Sequence, residues 1–99
     1  MDDKKLSRYL QSVGQACFIR FFEEFSSDTL SRDALIAKLR DQTTYTEKSC
    51  ASRVSKARSI LNAGLADKAL SLIASSNSGR VSQEVKEKAR SYLVEKQQP

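Results

Sequence analysis

Between Leu6 and Phe25 the apolar residues Leu6, Leu10, Val13, Cys17, Phe21 and Phe25 recur at steps of three or four. A helix can bury that spacing along one stripe and a strand cannot. The run predicts a first helix over about Asp3 to Phe25, with the rest of the chain packed around it. Tyr9, Phe18, Ile19 and Phe22 widen the apolar surface beyond one stripe, so this helix must be covered on several sides or meet a second copy of the chain. Gly14, in its middle, lowers helix propensity and points to a bend or to close approach by a neighbour.

Strand-type alternation is hard to find, glycine occurs three times, and the one proline is the last residue. The expected class is therefore all-α: a compact orthogonal bundle of about five helices, forming a single domain over residues 1–99 with 97–99 frayed. The heptad pattern ends with the first helix, which argues against a long coiled coil.

Ser31 is placed to cap a second helix over about Arg32 to Gln42. Leu30 and Leu35 stand at the positions of a hydrophobic staple, and Leu35, Ile36 and Leu39 form the buried side. Thr44 and Glu47 read as a T-x-x-E capping box opening a third helix at about Tyr45. Cys50, Val54, Ala57 and Leu61 form its stripe, with Ile60 at the margin, and Asn62, Ala63 and Gly64 close it. Two helices joined this tightly meet the geometric minimum of a helix-turn-helix, without a wing because nothing after Gly64 reads as a hairpin. A short helix is expected over Leu65 to Ser75. The run SSNSGR, Ser75 to Arg80, reads as the most loop-like and mobile segment, and Ser82 can cap a last helix over about Gln83 to Lys96.

The side chains supply little for catalysis. Histidine is absent, so the commonest general base and metal ligand is missing, and Cys17 and Cys50 have no base nearby in sequence. Neither a G-x-x-x-x-G-K-[ST] nor a G-x-G-x-x-G motif occurs. The reading is of a non-enzyme with no cofactor, no metal and no small-molecule substrate. No apolar run approaches the length of a membrane span, the N-terminus MDDKKLSRYL lacks the apolar core of a signal peptide, and a reducing cytoplasm is expected.

Formal net charge is +5, from 17 Lys and Arg against 12 Asp and Glu. The opposite signs balance over residues 1–43. Residues 44–62 carry Lys48, Arg53, Lys56 and Arg58 against Glu47 alone. On the outer face of this third helix the cations alternate with short polar groups. Such a face suits DNA, with small groups near base edges and long cations at phosphates. The candidate contacts are Tyr45, Thr46, Lys48, Ser49, Ser52, Ser55, Lys56, Arg58 and Ser59, joined by Lys38 and Arg40 from the preceding helix. Arg53 falls near the apolar margin, where it can run along the core edge toward a carboxylate. The expectation is a small cytoplasmic DNA-binding or transcription-regulatory protein, dimerising through surplus aromatics of the first helix. The same composition also suits a merely solvated helix face, or RNA or another anion. The alternative is a helical interaction module, an inhibitor, adaptor or assembly factor, that binds a protein partner through Phe18 and Phe22.

Overall fold

The long first helix is in fact three. A computed structural model describes residues 1–77, 79 and 81–97, with side chains in the last helix described through residue 95. The helices are α1 (Asp3–Val13), α2 (Gln15–Arg20) and α3 (Phe22–Ser26), then α4 (Arg32–Gln42), α5 (Glu47–Asn62), α6 (Ala66–Ala74) and α7 (Gln83–Gln97). No strand occurs among the described residues. The class is all-α and the Cα radius of gyration is 12.8 Å. The expectations for Ser78, Arg80, Gln98 and Pro99 lie outside the described residues.

Gly14 makes the first break. Its φ of 90° and ψ of 122° leave the helical region for one open almost only to glycine. The chain stays hydrogen-bonded across it, because Gly14 N donates to Leu10 O at 2.9 Å and Gly14 O accepts from Phe18 N at 2.8 Å. Phe21, with φ −110° and ψ 20°, makes a second and gentler offset. These breaks explain the excess apolar width. α1 packs on α5, α2 turns to α7, and α3 returns to α5, so each piece covers a different part of one core. Phe18 is fully buried against Phe22 and Phe25, with ring centroids at 5.6 and 6.3 Å, and Phe22 meets Tyr92 of α7 at 4.7 Å. Rings paired at such distances add about 0.5–1.5 kcal/mol beyond their burial.

The caps mostly follow the sequence. Ser31 Oγ accepts from Ala34 N at 3.1 Å, and Ser82 Oγ accepts from Val85 N at 3.2 Å. α5 ends in a Schellman motif at Gly64 (φ 75°): Leu65 N donates to Ile60 O at 3.2 Å and Gly64 N to Leu61 O at 3.0 Å. Its start differs from the T-x-x-E reading. Thr46 is the N-cap, its Oγ1 accepting from Ser49 N at 3.1 Å, and Glu47 is the first helical residue. Thr43 closes α4 instead, donating to Leu39 O at 2.6 Å and accepting from Tyr45 N at 3.2 Å, so Thr43 to Thr46 are spent on the turn. Starting two residues later leaves the register of side chains unchanged. The core meets the helix slightly toward Ile60, which is fully buried, while Leu61 is half-buried.

Candidate functional site

α5 is held on both flanks. On one side it runs antiparallel to α1, as two cross-contacts require: Arg53 reaches Val13 O, and Lys56, three residues on, lies over the ring of Tyr9, four residues back. On the other side it meets α4. Ser52 and Ser59 are exposed between the flanks, with Lys48 at the N-terminal end and Ser55 half-exposed among them.

Two of the arginines belong to the framework. Arg53 Nη1 donates to Val13 O, a carbonyl beside the Gly14 break, and Nε donates to Ser49 Oγ at 3.0 Å. Its guanidinium lies 3.7 Å from the centroid of the Tyr45 ring. None of these three partners is a carboxylate, in contrast to the ion pair expected of Arg53. A Cβ on Gly14 would come within 2.9 Å of Arg53 Nη1, so the glycine also makes room for this contact. Arg58 turns away from the outer face and donates through Nη2 to Leu30 O and to Ser27 O, tying the loop between α3 and α4 to α5. It is thereby removed from the set of phosphate contacts expected on that face.

The remaining expected residues fall into two groups. Toward α4, Arg40 is ion-paired with Glu47 at 3.3 Å, Arg32 Nε donates to Ser55 Oγ at 3.0 Å, and Asp33 lines the same shallow groove. Both signs are present there, and Arg40 is already paired. Lys38 is two residues from Arg40, a turn of about 200° around α4, so the two cannot face one surface. Ser59 donates to Ser55 O. Thr46 is spent as a cap, and Ser49 and Tyr45 are occupied by Arg53.

Toward α1 the field has one sign. After their first residues, Asp3 and Glu47, neither α1 nor α5 carries another carboxylate, whereas they hold Lys4, Lys5, Arg8, Lys48, Arg53 and Lys56, besides Arg58, which turns to the loop before α4. Nearby carboxylates are engaged elsewhere: Asp2 accepts from Lys5 N at the start of α1, Asp3 pairs with Lys68 of α6, and Glu47 pairs with Arg40 of α4. Tyr9 sits in this seam with Lys5 Nζ 5.5 Å and Lys56 Nζ 6.0 Å from its centroid. The α1 half of this surface was missed in the sequence, where residues 1–25 sum to zero charge; their anions lie at the ends of the segment and three of their four cations lie on α1.

A surface at Phe18 and Phe22 does not form. They are 0% and 6% exposed, buried by α3 and α7 of their own chain, which leaves these aromatics unavailable for a partner or for a second copy.

A cavity of about 450 Å³ opens beside the Gly14 break and is lined by Gln11, Gly14, Gln15, Ala16, Cys17, Tyr45 and Val81. Burial pushes the Cys17 thiol above its ordinary value, with Arg53 working in the opposite direction. The cavity thus offers a thiol held in its protonated, poorly nucleophilic form. No helix among the described residues is long and apolar enough to cross a membrane.

Comparison with protein-family models, with curated proteins and with solved structures finds no match in any of the three.

Proposed function

We propose that this chain is a nucleic-acid-binding protein, with DNA as its first candidate ligand, and that it holds the phosphate backbone on the face shared by α1 and α5. The observation carrying this reading is the segregation of charge: α1 and α5 carry Lys4, Lys5, Arg8, Lys48 and Lys56, of which Lys5 and Lys56 meet over Tyr9 in the seam, and the carboxylates at the helix starts are engaged elsewhere. A one-signed surface of this kind attracts a polyanion and exchanges condensed counterions for lysines and arginines. The helix-turn-helix reading of α4 and α5 is retained in its position but changed in its use. With both flanks of α5 covered and its serines partly engaged, the face is better supplied for phosphates than for base edges. A transcription-regulatory role would add sequence preference from elsewhere, and a reducing cytoplasm suits two buried free cysteines.

The test is titration of labelled 20-mer DNA, single- and double-stranded, at low salt. The proteins are the wild type, the Lys48→Ala/Lys56→Ala double variant and, as control, Lys86→Ala/Lys88→Ala on α7. Binding in the micromolar range that weakens about tenfold in the first variant and little in the second is expected. Absence of binding to either DNA, or equal loss in both variants, overturns the reading.

A further inference from the structure

The seam between α1 and α5 differs from a simple basic patch because aromatic rings are set among its cations. Along it run Lys5, Tyr9, Lys56, Arg53 and Tyr45, two rings set among three cations, with Tyr9 and Tyr45 both half-buried. Tyr45 is engaged by Arg53 at 3.7 Å. Tyr9 is held more loosely, by two flexible ammonium groups at 5.5 and 6.0 Å. An ammonium at 5.5–6.0 Å from a half-buried ring is weakly held and can move to a phosphate, which leaves the open side of the ring for a base.

The shape of the face points the same way. Two helices packed side by side, with axes about 8–10 Å apart and each about 10–12 Å across, present a surface of about 20 Å. The major groove of B-DNA is about 12 Å wide and admits one helix. α5 is flanked by both α1 and α4, and the groove beside α4 includes the carboxylates Asp33 and Glu47, which disfavour a duplex laid across α5. A single strand lies along a seam and needs no groove. Cations that follow a backbone, with rings on which bases stack, are the composition of single-strand sites.

We infer that the ligand of this face is a single-stranded nucleic acid laid along the α1–α5 seam, with phosphates on Lys5, Lys56 and Lys48 and a base stacked on Tyr9. The inference rests on the nucleic-acid reading above and specifies its substrate class. No bond is made or broken.

The experiment compares fluorescence anisotropy titrations of labelled (dT)20 and of a 20-base-pair duplex at the same salt, with wild type, Tyr9→Phe and Tyr9→Leu. The expected result is tighter binding of (dT)20 than of duplex, kept in Tyr9→Phe. Tyr9→Leu should lose about fivefold or more for (dT)20 and little for duplex. Since Tyr9 also packs against the core, a second measurement uses the unaltered protein: photocrosslinking to a 5-iodouracil-substituted strand, with the crosslinked peptide sequenced. A crosslink at Tyr9 supports the inference. Duplex bound as tightly as (dT)20, a Tyr9→Leu loss equal for both ligands, no Tyr9→Leu loss, or a crosslink confined to other helices overturns it while leaving the phosphate-binding reading in place. Failure of both ligands to bind overturns both readings.

Discussion

Replacing Arg53 by Met keeps most of the aliphatic stem and removes the guanidinium, which is the joint between α1, α5 and the turn before α5. In the wild type that group donates to Val13 O and to Ser49 Oγ and lies 3.7 Å from the Tyr45 centroid. A hydrogen bond from a charged donor contributes about 1.5–3 kcal/mol, and a partly desolvated cation over a ring about 0.5–2 kcal/mol. The contacts share one group and do not add fully, and Arg53 is only half-buried, so the loss is about 2–3 kcal/mol. Against a total stability of about 5–15 kcal/mol for a domain of this size, that is a large fraction. The melting temperature should fall by roughly 10–20 °C, at about 4–8 °C per kcal/mol. Thermal unfolding followed by far-UV circular dichroism is the assay, and a companion urea titration should show a lower midpoint with an unchanged slope. A fall below about 3 °C would mean that the guanidinium is not a joint at all.

Thr46→Ala should cost about 1 kcal/mol through loss of the α5 cap, whereas Thr44→Ala should leave the urea midpoint within error; the reverse order would restore the T-x-x-E reading. Gly14→Ala should cost about 1–3 kcal/mol in thermal unfolding, because a φ of 90° is strained for any side chain and the new Cβ crowds Arg53; a neutral result would mean that α1 and α2 can join without the break. Burial raises the Cys17 thiol above 9.0 and the Tyr92 hydroxyl above 10.0, the latter helped by Glu23, Glu24 and Glu95. In the alkaline range the unfolded chain therefore releases these protons first, the folded state binds more of them, and stability falls as pH rises from about 9 upward. These two groups contribute no slope below pH 8, and urea midpoints at pH 8, 9.5 and 10.5 check the sign.

The amphipathic pattern and the cap residues carried most of the fold. Ser31, Ser82 and Gly64 each cap the helix they were read to cap, because a cap is a local hydrogen bond between near neighbours. The division of the first helix was hidden for a physical reason. α1, α2 and α3 all face the same core, so the spacing of apolar residues continues through Gly14 and Phe21 although the helix axis does not. Thr44 and Thr46 both offer a hydroxyl within reach of a helix start, and the choice is made by Thr43, which turns back to Leu39. The roles of Arg53 and Arg58 depend on carbonyls 40 and 28 residues away, which no local pattern encodes. Lys4, Lys5 and Arg8 were hidden by net charge taken along the chain, since the anions that balance them stand at helix ends and belong to other contacts.

The most direct measurement is the map of backbone amide shifts, by ¹H–¹⁵N correlation spectroscopy, as unlabelled DNA is added to ¹⁵N-labelled protein at low salt. Binding through the shared face shifts amides of α1 and α5 around Lys5, Tyr9, Lys48, Ser52 and Lys56, with α6 and α7 unaffected, and the shifts reverse as salt is raised. Shifts centred on α6 and α7, or none at all, would contradict the assignment of that face to nucleic acid.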